Sequence, residues 1–178
     1  MKENFSASLG FVLASEGGFT SDDRDPGNAG GKCTNLGVTQ KAWEDYVGHP
    51  VSRAVMQFLT PAAVAPFYHA KYWDAAHCDF MSSGLDYMLF DFAVNAGVGR
   101  AVKTLQSAAG ADPDGSIGLQ TLTAIAISPD ILLDFSVAKQ SFYKSLPTFA
   151  TFGKGWLKRV DDVLHRAQIM RDIGTTGT

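Results

Sequence analysis

The chain has 178 residues, of which 46% are hydrophobic and 19% charged, and its formal net charge is -3. That balance suits one compact domain, or two small lobes sharing a core, and excludes a disordered chain. A nucleic-acid partner is excluded as well: the largest basic cluster, Lys154, Lys158 and Arg159, shares its helix with Asp161 and Asp162 and reads as a solvated face.

The first element is a helix. Phe5, Leu9, Val12 and Leu13 form an amphipathic stripe that Asn4 is placed to cap. Its apolar part is about ten residues long and interrupted by Ser and Gly, so it reads as mature structure rather than a secretion leader. No run approaches the roughly 18 apolar residues of a membrane span. Synthesis in the cytoplasm, without a signal peptide, is the expectation. A substrate outside the cell is then met only after release or delivery.

Residues 17–38 carry no helical period and are rich in Gly, Asp, Asn and Pro. So long a loop in a compact domain is usually functional. Phe19–Thr20 and Leu36–Val38 are expected to make a small β-hairpin across it. Thr39 then caps a helix that ends at Gly48 to Pro50. Ser52 caps a short helix with Val55, Phe58 and Leu59 inward. Thr60 and Pro61 open another, kinked at Pro66, that reaches Trp73. Residues 84–96, GLDYMLFDFAVNA, are apolar on nearly every face and predict a central helix. Further helices are predicted at 100–109, 118–127, 130–145 and 155–170, with ADPDGSIG as a turn cluster between the first two. The fold class is all-α with one small β element.

Cys33 and Cys78 show no metal-ligand spacing with His49, His69, His77 or His165, so neither a metal nor another cofactor is expected. Two free thiols are the favoured reading. The stretch from Asp23 fails as a calcium loop, because Thr34 stands where the twelfth-position Glu would be.

The chemistry concentrates at Glu16. It closes the first helix and is followed by Gly17 and Gly18, then by Asp22, Asp23 and Asp25. Burial and a helix C-terminus both disfavour a charged carboxylate, and a carboxylic acid still protonated near neutral pH can act as a general acid. One acid plus one carboxylate is the minimal equipment for cleaving a glycosidic bond. Asp25 precedes Pro26 and Gly27, which equally suits a plain turn, and Asp22 and Asp23 are alternatives to it. Asp91 and Asn95 lie four apart on one face of the apolar helix. They either satisfy nearby backbone groups or line a sugar cleft.

The run EGGFTSDDRDPGNAGGKCTNLGVTQ resembles the signature of glycoside hydrolase family 108, in which E-G-G-Y is followed by D-x-G-G and T-N-x-G-I-T. The segment YWDAAHCDFMSSGLDYMLFDFAVNAGVGRAVKTLQSAAGADPDGSIGLQTLTAI is similar to the next part of those proteins: Y-W, a helix with D-x-A-V-N, then K-x-L-Q and D-G-x-I-G-x-x-T. The later part matches a segment described as peptidoglycan-binding. The resemblance runs over about residues 8–170. It implies a mainly helical, lysozyme-like fold and an N-acetylmuramidase cutting the β-1,4 bond between N-acetylmuramic acid and N-acetylglucosamine, often as a phage or prophage endolysin. It implies Glu16 as catalytic acid, Asp25 as second carboxylate by the nine-residue spacing of phage-type lysozymes, and Thr34 as their threonine. The inserted N-A-G-G-K-C before Thr34 departs from the family pattern. Asn35, Thr39, Gln40, Trp73, Tyr87, Asp91 and Asn95 are the implied substrate contacts, and peptidoglycan glycan strands the partner of a monomer. A catalytic lobe over 1–96 and a peptidoglycan-binding lobe over 97–178, packed as one unit, are expected. The rivals are a lytic transglycosylase acting on the same bond and a non-catalytic peptidoglycan-binding or secretion-accessory protein.

Overall fold

The computed structural model describes residues 2–22, 26–28 and 30–175, with the backbone alone at 2, 26, 174 and 175. Among these residues the regular structure is nine α-helices and one two-stranded antiparallel sheet, the mainly helical, lysozyme-like class expected. The chain forms two compact units, residues 6–71 and residues 72–178 together with 1–5. The lobe boundary expected at 96/97 falls between two helices that pack on each other inside the larger unit.

The smaller unit begins in α1 (Phe5–Ser15), which buries Ser8, Leu9 and Val12. Strands β1 (Thr34–Asn35) and β2 (Val38–Thr39) pair with Thr34 opposite Thr39 and Asn35 opposite Val38. The sequence places one arm of the hairpin at Phe19–Thr20. Thr20 instead adds a single bridge to the outer side of Thr34, and the two arms are only two residues apart in sequence, joined by Leu36 and Gly37. Helix α2 (Gln40–Val47) starts at the Thr39 cap and ends at Gly48 in the left-handed region. Helix α3 (Arg53–Gln57) starts at the Ser52 cap. Its inward residue is Met56, while Val55 and Phe58 are exposed, contrary to expectation. A helix of five residues presents one side chain per face, so periodicity has too little length to choose that face.

Helix α4 (Pro61–Tyr68) is capped by Thr60, with Pro61 in its first turn and Pro66 inside it. Pro66 withholds one N–H from the ladder. The helix runs two residues further and widens into a π turn over His69–Asp74. Aromatic edges fill the space beneath: Phe67 meets Tyr46 at 5.4 Å, Tyr68 at 5.5 Å and Trp43 at 6.1 Å between centroids.

The larger unit is built on α5 (Leu85–Ala96), buried at every position from Leu85 to Ala93. It packs on α6 (Val98–Ala108), α8 (Ile131–Lys144) and α9 (Phe149–Thr175), while α7 (Leu119–Ile127) lies against α6. Phe5, Trp73 and Phe90 form an edge-on trio with centroids 5.4–5.8 Å apart. Helix α9 begins six residues before its expected start, through Gly153 and Gly155. The cause is local. The Phe149 ring lies over Gly153, where a Cβ would stand 2.5 Å from it, so the glycine is a packing surface and not a break.

A fragment beginning at Gly84 is expected to aggregate. It retains α5 but loses Phe5 and Trp73, leaving one side of the fully buried Phe90 bare. Size-exclusion chromatography and thermal unfolding check this; a soluble, cooperatively melting 84–178 fragment would contradict it.

Candidate active site

Glu16 directly follows α1, half-buried, its N–H donating to Leu13 O at 3.2 Å. Its carboxylate packs on the hairpin turn. A Cβ built on Gly37 would stand 2.9 Å from Glu16 Oε2, 3.0 Å from Glu16 Cγ and 2.7 Å from Tyr68 Oη. Gly37 has φ +72, so the position demands glycine twice over: for its backbone and for the space above its α-carbon. Leu36 also has positive φ, 50°. Two such residues make the primed turn that suits a two-residue hairpin loop, normally filled by Asn-Gly. Tyr68, buried in α4, donates its hydroxyl proton to Leu36 O at 2.8 Å.

Thr34 begins the hairpin. Its hydroxyl donates to Asn28 Oδ1 at 2.8 Å, and the buried Asn28 amide donates to Asp22 O at 3.2 Å. The N-A-G-G-K-C insertion thus contributes a side chain that fixes Thr34. No motif in the sequence flags Asn28, although Asn side chains in turns commonly hydrogen-bond nearby backbone. Asp23 and Asp25 lie outside the described residues.

The neighbouring polar residues of the T-N-L-G-V-T-Q run hold backbone. Asn35 donates to Met56 O at 2.8 Å and Gln57 O at 3.2 Å, tying the hairpin to the end of α3. Thr39 accepts from Ala42 N as the α2 cap. Gln40 donates to Glu44 Oε1 and to Val51 O. The Val51 N–H, and then Gln40, hold the Glu44 carboxyl below its ordinary value. Burial pushes the Cys33 thiol up against the opposing pull of Arg53, and burial does the same more strongly at Cys78. Both thiols are buried and unbridged.

The remaining predicted residues belong to the larger unit. Trp73 is fully buried, and its indole N–H donates to Asp79 Oδ1 at 2.8 Å. Tyr87 is buried, its hydroxyl pushed up to about 12 by burial and by Asp91. Asp91, also buried, accepts from Arg159 Nε at 3.1 Å, Arg159 Nη2 at 2.7 Å and Lys139 Nζ at 3.4 Å. Asn95 donates to Asp91 O at 2.7 Å. Asn95 thus satisfies a backbone carbonyl, while the Asp91 carboxylate is held by two cationic side chains.

The K-x-L-Q and D-G-x-I-G-x-x-T motifs converge on one residue. Buried Gln106 donates to Asp114 Oδ1 at 2.8 Å, Ser116 O at 3.0 Å and Thr121 Oγ1 at 3.0 Å, and accepts from Gly115 N at 2.8 Å. The motif residues bind one another and shape the turn before α7. Among the described residues no cluster of His, Cys, Asp and Glu has the form of a metal site.

Residues 9–97, the segment holding Glu16, the hairpin and Tyr68, match the family model Glycosyl hydrolase 108. The chain is also similar to the structure of Brucella abortus SagA, with 35% identity and a TM-score of 0.82 over 96% of this chain and 97% of that one. No curated protein matches it. The half-buried glutamate and its glycine turn lie within the matched segment, and the chain belongs to glycosyl hydrolase family 108, whose members hydrolyse peptidoglycan.

Proposed function

We propose that the protein is an N-acetylmuramidase that hydrolyses the β-1,4 bond between N-acetylmuramic acid and N-acetylglucosamine. The observation that carries this reading is the Glu16 carboxyl held against Gly37 on a hairpin of the family-matched segment. Protonated Glu16 gives its proton to the glycosidic oxygen as the C1–O bond breaks, so the leaving sugar departs with a neutral 4-hydroxyl. Asp25 supplies the second carboxylate, and Thr34, fixed by Asn28, orients the water or the sugar. Water adds its hydroxyl to C1 and its remaining proton returns the acid to its starting state. In the cell the enzyme is an endolysin of phage or prophage origin, made in the cytoplasm and meeting the wall after release.

Mass spectrometry of products from purified cell walls tests the reaction. Muramic acid ends carrying one added water are expected; 1,6-anhydro ends would establish a transglycosylase instead, and no products a non-catalytic protein.

Asp25→Asn is expected to lower wall hydrolysis by about 10²-fold or more, and Asp22→Asn or Asp23→Asn by less. The nine-residue spacing from Glu16 motivates the ranking. The Asp22 backbone meanwhile already ties the loop through Asn28. Equal, small losses at all three positions, read by a turbidity assay, would remove Asp25 from the mechanism.

A further inference from the structure

Leu36 is an anomaly in its turn. A bulky residue at φ 50 is strained, where Asn or Gly would be relaxed. Strain of this kind persists only where the surroundings over-determine it, and it clusters at functional sites. Here the Tyr68 hydroxyl clamps the Leu36 carbonyl at 2.8 Å. The same phenolic oxygen borders the space above Gly37 that the Glu16 carboxyl also borders, as the 2.7 Å and 2.9 Å approaches of a Cβ built there show. Three chain segments thus converge on one methyl-sized spot: the end of α1, the hairpin turn and the last residue of α4.

We propose that Tyr68 is a positioning residue for Glu16. Its phenolic proton is given to Leu36 O, which pins the oxygen on the rim of the spot above Gly37 that the Glu16 carboxyl group also borders. Packed against that oxygen, the carboxyl group keeps one orientation, and in the acid form its proton stays free for the glycosidic oxygen. The bare α-carbon of Gly37 leaves room for both groups. The turn and the acid are then set by one hydroxyl, so the proton of Glu16 is presented along one direction to the glycosidic oxygen. An acid misaligned by an ångström loses much of its effect on the chemical step while substrate still binds. This inference rests on Glu16 being the general acid.

The test compares the full-length parent, Tyr68→Phe, the double variant Tyr68→Phe/Leu36→Asn, and Glu16→Gln, on soluble glycan oligomers from sonicated walls. Asparagine adopts the left-handed turn without a clamp, so the double variant separates the two jobs of the hydroxyl. Tyr68→Phe is expected to lower kcat by about 10–100-fold with KM nearly unchanged. The double variant is expected to regain the parent's melting temperature and not its kcat. If Tyr68→Phe is unfolded, the double variant alone carries the comparison. A parent-like kcat in either Tyr68 variant overturns the proposal, because Tyr68 then serves at most the turn. Full activity in Glu16→Gln overturns the reading of Glu16 itself, whereas an inactive Glu16→Gln beside a fully active Tyr68→Phe removes only the inference about Tyr68.

Discussion

Glu16→Gln is expected to abolish wall hydrolysis and leave thermal unfolding close to that of the parent. The amide has the size and shape of the carboxyl group, so it occupies the same seat against Gly37 and beside Tyr68. It lacks a proton that can be transferred to a leaving oxygen. Loss of a general acid costs about 10²–10⁴-fold in rate, which in a turbidity assay on purified walls is indistinguishable from no enzyme. A folded Glu16→Gln protein that keeps most of its activity would sink the assignment.

The largest effect on stability is expected at Asp91. Its carboxylate faces Lys139, which is buried and also flanked by the Phe92 and Phe135 rings at 5.3 Å and 5.8 Å, and it binds Arg159 through two nitrogens. Burial pulls the Lys139 ammonium below its ordinary value while Asp91 pulls it back up. Asp91→Ala leaves that ammonium buried without its counter-charge, a loss of roughly 3–5 kcal/mol and a fall in melting temperature on the order of 10 °C. This fixes the sign of the pH dependence. In the variant the unfolded chain binds the lysine proton more tightly than the folded one, so the deficit is full at neutral pH. It narrows as pH rises toward the ordinary lysine range. Lys139→Met, which removes the buried charge and leaves the Arg159 pair, is expected to cost less. Calorimetric scans of the two variants check the order; an Asp91→Ala protein melting with the parent would refute it.

Local signals carry much of this fold. Thr39, Ser52 and Thr60 read as helix caps in the sequence, and each accepts the backbone N–H that a cap should. The apolar run at 84–96 reads as central, and α5 is. Long-range events are less legible. Gly153 in α9 looks like a break because nothing in the sequence places the Phe149 ring on it. Met56 faces inward because the hairpin and α3 meet, a contact that a five-residue helix cannot announce. At the site, E-G-G and T-N-L-G-V-T flag Glu16 and the hairpin. Tyr68 is invisible, since an aromatic on an apolar helix reads as core until its hydroxyl is seen to find Leu36.

The division of the chain sets an order of assembly during synthesis. Residues 6–71 are contiguous, so the unit that carries Glu16 has all its parts once Lys71 has left the ribosome. The larger unit includes residues 1–5, which emerge before the smaller unit and whose partners emerge after it: Asn4 donates to Ser83 Oγ and Asp86 Oδ2, and Phe5 meets Phe90. Residues 4 and 5 must therefore wait for these partners while more than the whole smaller unit is translated. A tag added ahead of residue 1 is carried by that same waiting segment, so it burdens the closing of the larger unit.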